Sequence, residues 1–153
     1  MRYLGGKCKI AKQIAELINS INGYSLYLEP FCGAVNVASL IKIQHKILND
    51  KNPYLIAMLK AVQNGWIPPE NVSKEEYYLA KKNQDIEPHI AGFVGFACSF
   101  AGKLWGSYAK TNNKNRNYAK QGKNSMYLVT LQLFSKLSLN KKLEMERINV
   151  LKL

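Results

Sequence analysis

Apolar positions change period several times along the chain. From Ile10 they recur at Ile14, Leu17, Ile18 and Ile21, a helical spacing that Asn22-Gly23 stops. From Tyr24 the spacing shortens. Leu26 and Leu28 alternate in a strand that closes on Glu29-Pro30-Phe31 and the small residues Cys32-Gly33-Ala34. Ala34 to Ile41 reads as a helix packed on the sheet through Val35, Val37 and Leu40. A second short strand carries Ile47 and Leu48 and ends at Asn49-Asp50.

The period then becomes helical for most of the chain. Asn52 caps and Pro53 opens a helix with Leu55, Ile56, Leu59 and Val62 on its buried face, ended by Gly65. Ser73 and Glu76 form a capping box for a short helix to about Lys82. Pro88 opens a longer apolar segment with Ile90, Val94, Ala97, Ala101 and Leu104 on one face, diluted by Gly92, Gly95 and Gly102. Gly106 to Asn117 is basic, Asn-rich and turn-like, and Asn124 to Leu137 is predicted helical with Tyr127, Leu131 and Phe134 as its core stripe. Ile148 to Leu153 is predicted as a last strand.

Strand, tight glycine turn, helix, then a strand ending in an acid is the order of the first half of a nucleotide-type α/β site. The glycine lets a ligand approach the main chain, and the acid accepts hydrogen bonds from ribose hydroxyls. Asp50 follows Gly33 by 17 residues, near the spacing of about 20 for such an acid. A helix-capping or solvated carboxylate is the alternative role for Asp50. Arg2 to Lys7 is an extended segment closed by two glycines and a lysine, without the spacing of a phosphate loop.

Composition adds a partner. The 153 residues suit one domain, and 47% hydrophobic content builds a core. The net charge is +12, and no Asp or Glu occurs from Pro88 to Leu143, where Lys103, Lys110, Lys114, Arg116, Lys120 and Lys123 all fall. Charge segregated in this way favours a polyanion, nucleic acid above all. No apolar run nears the ~20 residues of a membrane span, and no signal-peptide core is present, so a soluble cytoplasmic protein is expected. Cys8, Cys32 and Cys98 are widely spaced and odd in number, which argues against a disulfide framework or a metal site. His45 and His89 have no partner pattern.

These residues resemble the Dam-like, D12 class of adenine-specific DNA N6-methyltransferases, in particular phage-type members of restriction-modification kind. Tyr3-Leu4-Gly5-Gly6-Lys7 looks like the family's Y-x-G-G-K. Leu28-Glu29-Pro30-Phe31-Cys32-Gly33 resembles the E-P-F-x-G turn that cradles S-adenosylmethionine, and Leu48-Asn49-Asp50 the L-N-D that holds its ribose. Ser73 to Tyr77 is similar to the start of a helix in the target-recognition insertion. Ala97 to Phe100, Trp105 to Lys110 and Arg116 to Ala119 are similar to that insertion's DNA-facing part.

The resemblance implies an α/β fold: a partial Rossmann-like methyltransferase sheet of about three strands with a largely helical insertion. Residues 1–53 and 141–153 would form the cofactor part and 54–140 the insertion. It implies cofactor contacts from Tyr3, Gly5, Lys7, Glu29, Pro30, Phe31, Cys32, Gly33 and Asp50. DNA contacts are expected from Lys103, Trp105, Lys110, Lys114, Arg116, Asn117, Tyr118 and Lys120.

The chain departs from the family pattern twice. Ala34 and Val35 stand where many members have further glycines, and no D-P-P-Y occurs; Pro68-Pro69, between Ile67 and Glu70, is the only Pro-Pro. That motif accepts the hydrogens of adenine N6 and stacks the flipped base. The expectation is therefore a truncated or split methyltransferase, inactive alone and completed by a second chain or a homodimer. The alternative is a non-catalytic DNA-binding module derived from one.

Overall fold

The computed structural model describes residues 1–110 and 116–134. Helix α1 (Ala11–Asn19) leads to strand β1 (Leu26–Glu29), a single 3₁₀ turn (Ala38–Leu40) and strand β2 (His45–Leu48). Helices α2 (Pro53–Gln63), α3 (Lys74–Lys82), α4 (Pro88–Ala97) and α5 (Tyr118–Phe134) follow. The strands pair in parallel, with Leu26 opposite His45 and Glu29 opposite Leu48. The result is a mixed α/β chain whose described sheet has two strands. The predicted strand Ile148 to Leu153, and the whole of 141–153, lie outside the described residues.

Around the sheet, small residues do most of the packing. On α1, Ala11 and Ala15 are buried against Val37 and Ile41, with Ile14 and Ile18 half-buried beside them. The helical period was legible there, but Ile10, Leu17 and Ile21 are exposed rather than inward. The sheet face carrying Tyr27, Glu29, Lys46 and Leu48 is half-buried. On its other face Leu26, Leu28 and Ile47 are 52%, 58% and 53% exposed. Parallel sheets are ordinarily covered on both faces.

The helix expected over Ala34 to Ile41 is replaced by a sharp turn and the single 3₁₀ turn. The cause is Val35, fully buried with φ of 60°. A left-handed conformation is costly for a β-branched residue and cannot continue a right-handed helix. Val35 and Val37 are buried as expected, whereas Leu40 is exposed.

Helices α2 to α5 pack around a core of Leu55, Met58, Tyr77, Phe93, Val94 and Met126, with Met1 and Tyr3 of the N-terminal segment against it. Both predicted caps form. Asn52 Oδ1 accepts from the Leu55 N–H at 3.0 Å. The Glu76 N–H donates to Ser73 Oγ, and the Ser73 N–H to Glu76 Oε2. Helix α4 is buried all round from Ala91 to Ala97 and stops there, so Ala101 and Leu104 do not extend one face. Ala101 is exposed with φ of 55°. Helix α5 begins at Tyr118, earlier than its hydrophobic period indicated, because Asn117 Oδ1 accepts from the Lys120 N–H at 2.9 Å. Its inward face is Ala119, Met126, Val129 and Leu133, and Tyr127 is exposed.

Helices α2 and α4 cross closely at Gly92, where an added Cβ would stand 2.1 Å from the Tyr54 carbonyl oxygen. Gly92→Ala is therefore expected to destabilise the chain by about 1–3 kcal/mol, the usual cost of overpacking, or more. Urea unfolding measures it. An unchanged midpoint would mean that the two helices part freely.

Candidate functional site

A cavity of about 180 Å³ lies at the carboxyl ends of the two strands, lined by Tyr3, Gly5, Gly6, Lys7, Glu29, Phe31, Cys32, Gly33, Ala34, Asn36, Val37 and Asp50. Segments far apart in sequence meet here. The parallel ladder continues past the strands, with the Asn49 N–H donating to the Glu29 carbonyl at 3.0 Å and the Cys32 N–H to the Asn49 carbonyl at 2.8 Å. That extension fixes the turn after β1 against the end of β2.

Asp50 completes the bracket. One carboxylate oxygen accepts from the Gly33 N–H at 3.0 Å and the other from the Asn52 N–H at 3.0 Å. Each oxygen keeps acceptor capacity towards the cavity. Gly33 has φ of 49°, and a Cβ there would sit 3.2 Å from the Tyr3 ring. The left-handed backbone favours glycine here, and a side chain would also press on the Tyr3 ring. Tyr3 lies with its ring centroid 5.0 Å from that of Phe96, joining the cavity to α4.

Electrostatics in the cavity follow from partial burial beside carboxylates. Burial raises Glu29 above its ordinary value, opposed by the Tyr27 hydroxyl bond at 3.1 Å and by Lys7. Burial, then Glu29, pushes Tyr27 up to about 12. Burial, then Asp50 and Glu29, pushes the Cys32 thiol up to about 11. A thiol so perturbed is no nucleophile at neutral pH. Among the described residues no group of His, Cys, Asp and Glu could hold a metal, and no helix is long and apolar enough to cross a membrane.

Eight of the nine residues expected around the cofactor line this cavity; Pro30, exposed between Glu29 and Phe31, does not. Phe31 is 75% exposed, a large ring left at the rim. Asn36, also lining the cavity, was missed. It stands three residues after Gly33, but no spacing rule marks it. A second cavity of about 400 Å³ adjoins the first through Tyr3, Gly6 and Asn36 and is walled on its far side by Arg2, Ala97, Tyr118 and Gln121.

The basic residues expected on DNA are more dispersed. Lys103, Lys110, Arg116 and Lys120 are exposed, and Lys114 lies outside the described residues. Trp105 is half-buried against the core around Tyr77; its indole N–H donates to Gln84 Oε1 at 2.8 Å and its ring meets Tyr77 edge-on. Asn117 is occupied by Lys120 and by Asn71, whose Oδ1 accepts from Asn117 Nδ2 at 2.7 Å. Packing and capping account for where these last two sit. Tyr118 is half-buried beside Arg2.

Thiol labelling gives a direct check on the site's burial. Cys8 is exposed, Cys32 is buried, and Cys98 is buried and pushed up to about 12 by desolvation. At pH 8 the native chain should react with iodoacetamide at Cys8 alone, and Cys32 and Cys98 should react only on unfolding, as peptide mass spectrometry reads. Native labelling of Cys32 would show the turn to be open.

Comparison with known proteins supplies one match. The family model of the D12 class N6 adenine-specific DNA methyltransferase covers residues 3–146, a span containing every motif that lines the cavity. No curated protein and no solved structure matches the chain. With the family pattern running over nearly its whole length, the chain belongs to the D12 class of N6 adenine-specific DNA methyltransferases.

Proposed function

We propose that this chain is the cofactor- and DNA-binding part of an S-adenosylmethionine-dependent DNA adenine N6-methyltransferase. The observation that carries the reading is the cavity, where Tyr3 to Lys7, the Glu29 to Gly33 turn and Asp50 converge. When bound, S-adenosylmethionine supplies an electrophilic methyl group on a cationic sulfonium.

The residues present fit that group. Asp50, held by the Gly33 and Asn52 amides, accepts hydrogen bonds from the ribose hydroxyls. Phe31 offers an exposed ring face to the adenine. Lys7 lies on the cavity wall, where its ammonium would be a hydrogen-bond donor to the cofactor. Glu29 and Asp50 contribute to raising the Cys32 thiol, and the same negative field favours a sulfonium cation.

Methyl acceptance needs other residues. The lone pair of an exocyclic adenine N6 is delocalised into the ring, so its hydrogens must be accepted and the base held outside the helix. The D-P-P-Y that does this in the family is not among these 153 residues. We place it on polypeptide outside this sequence, in the same or a second chain. The acid-free run from Pro88 to Leu143 supports the insertion as the DNA-facing part.

Two measurements test the proposal. Calorimetry should find weak S-adenosylmethionine binding, lowered about tenfold or more by Asp50→Ala, since a hydrogen bond to a charged group is worth on the order of 1.5–3 kcal/mol. Equal affinities in correctly folded proteins would remove Asp50 from the site. Labelled methyl transfer to unmethylated duplex DNA should be absent with this chain alone and appear when a D-P-P-Y-bearing fragment is added. Turnover by the chain alone, free of copurifying enzyme, would place the acceptor site within these residues.

A further inference from the structure

The ring of Tyr118, first residue of α5, holds two cations. The Cζ of Arg2 lies 3.9 Å from the ring centroid and that of Arg116 lies 5.0 Å from it. Both distances are within the range of cation–π attraction. Arg2 Nη2 also donates to the Ala97 carbonyl at 2.8 Å, which fixes the guanidinium from the side of α4. The Leu4 N–H donates to the Gly102 carbonyl at 3.1 Å, so the N-terminal segment is strapped across the insertion at this point.

Among the described residues neither arginine has a carboxylate partner: the Lys12–Glu16 and Lys123–Glu70 ion pairs involve neither. Arg2 is half-buried, and its pKa is lowered first by burial and then, against the opposing effect of Tyr118, by Arg116. Two guanidiniums drawn to one ring repel each other, and partial burial of one raises that cost. An anion between them would relieve it. A guanidinium carries several donors in a rigid fork that matches phosphate oxygens, and Arg2 has given only one to Ala97.

The position separates this site from the cofactor. Arg2 and Tyr118 wall the second cavity, beside Gln121 and Ser125, whereas neither lines the first. Tyr3 turns to the Gly33 turn while its neighbour Arg2 turns to the insertion. Arg116 is exposed and lies within the acid-free stretch, so the pair is open to solvent on its Arg116 side.

We propose that Arg2 and Arg116, gathered on Tyr118, clamp a backbone phosphate of DNA, so that the segment walling the cofactor cavity itself grips the nucleic acid. The proposal rests on the DNA-binding reading above and adds to it a specific pair and a specific ligand atom group. A clamp of this kind positions the duplex without reading its sequence. It also ties the duplex to Tyr3 through a single peptide bond.

The test is duplex binding by fluorescence anisotropy at several salt concentrations, using the 153-residue chain. Arg116→Met, Arg2→Met and the double variant are compared with wild type and with Lys12→Met, a solvent-exposed lysine on α1. Each lost phosphate contact flattens the slope of log K against log salt by about 0.9. Because the pair holds one phosphate, opening the clamp from either side releases it: each single arginine variant and the double variant should all show that same change of about 0.9, and Lys12→Met none. The loss should be the same on duplexes of unrelated sequence.

Far-ultraviolet circular dichroism checks the fold of each variant. If Arg2→Met fails to fold, the exposed Arg116→Met decides alone. An unchanged slope in Arg116→Met, or an equal change in Lys12→Met, overturns the clamp while leaving DNA binding intact. No salt-dependent binding by wild type overturns the DNA reading and the clamp with it. If Arg116→Met weakens S-adenosylmethionine binding instead of the salt slope, the anion is the cofactor's carboxylate. If only inorganic phosphate protects the pair, the site takes free anions. Either result overturns the proposal.

Discussion

One carboxylate joins the sheet to the helices that follow it. Asp50 accepts from Gly33 on one side and Asn52 on the other, and Asn52 in turn caps α2. The turn after β1, the end of β2 and the first turn of α2 are thus linked through consecutive hydrogen bonds. An acid fixed by backbone amides on both oxygens is held in one geometry. The position of α2 relative to the cavity follows from the same bonds.

Local chemistry was legible where it is set by a few adjacent residues. The caps at Asn52 and Ser73, the turn at Cys32 to Gly33 and the carboxylate at Asp50 all stand where the sequence places them. Convergence of the N-terminal glycines on that turn was readable only through the family resemblance, since no period links Tyr3 to Gly33. Periodicity misled where a helical run was short or interrupted. Val35 gives the turn its left-handed bend in place of a helix, and Ala101, also left-handed, parts the segment after α4 from the helix it was read with.

The face of a helix was harder to read than its existence. On α1 Leu17 is exposed and Ile14 and Ile18 are only half-buried while the alanines are buried, because close packing against Val37 and Ile41 selects small side chains. Trp105 shows the same limit in the insertion. An aromatic among basic residues reads as a DNA contact, but its indole bonds Gln84 and its ring joins the cluster around Tyr77. Tyr118, with the same sequence context, lies against two arginines instead. Only the three-dimensional neighbours distinguish the two.

The uncovered face of the sheet has a practical consequence. Leu26, Leu28 and Ile47 present contiguous aliphatic surface, and a net charge of +12 keeps copies of the chain apart at low ionic strength. High salt shortens the reach of that repulsion to a few ångströms. Colloidal stability of this molecule therefore falls as ionic strength rises, and the ionic strength chosen for its purification decides how well its copies are held apart.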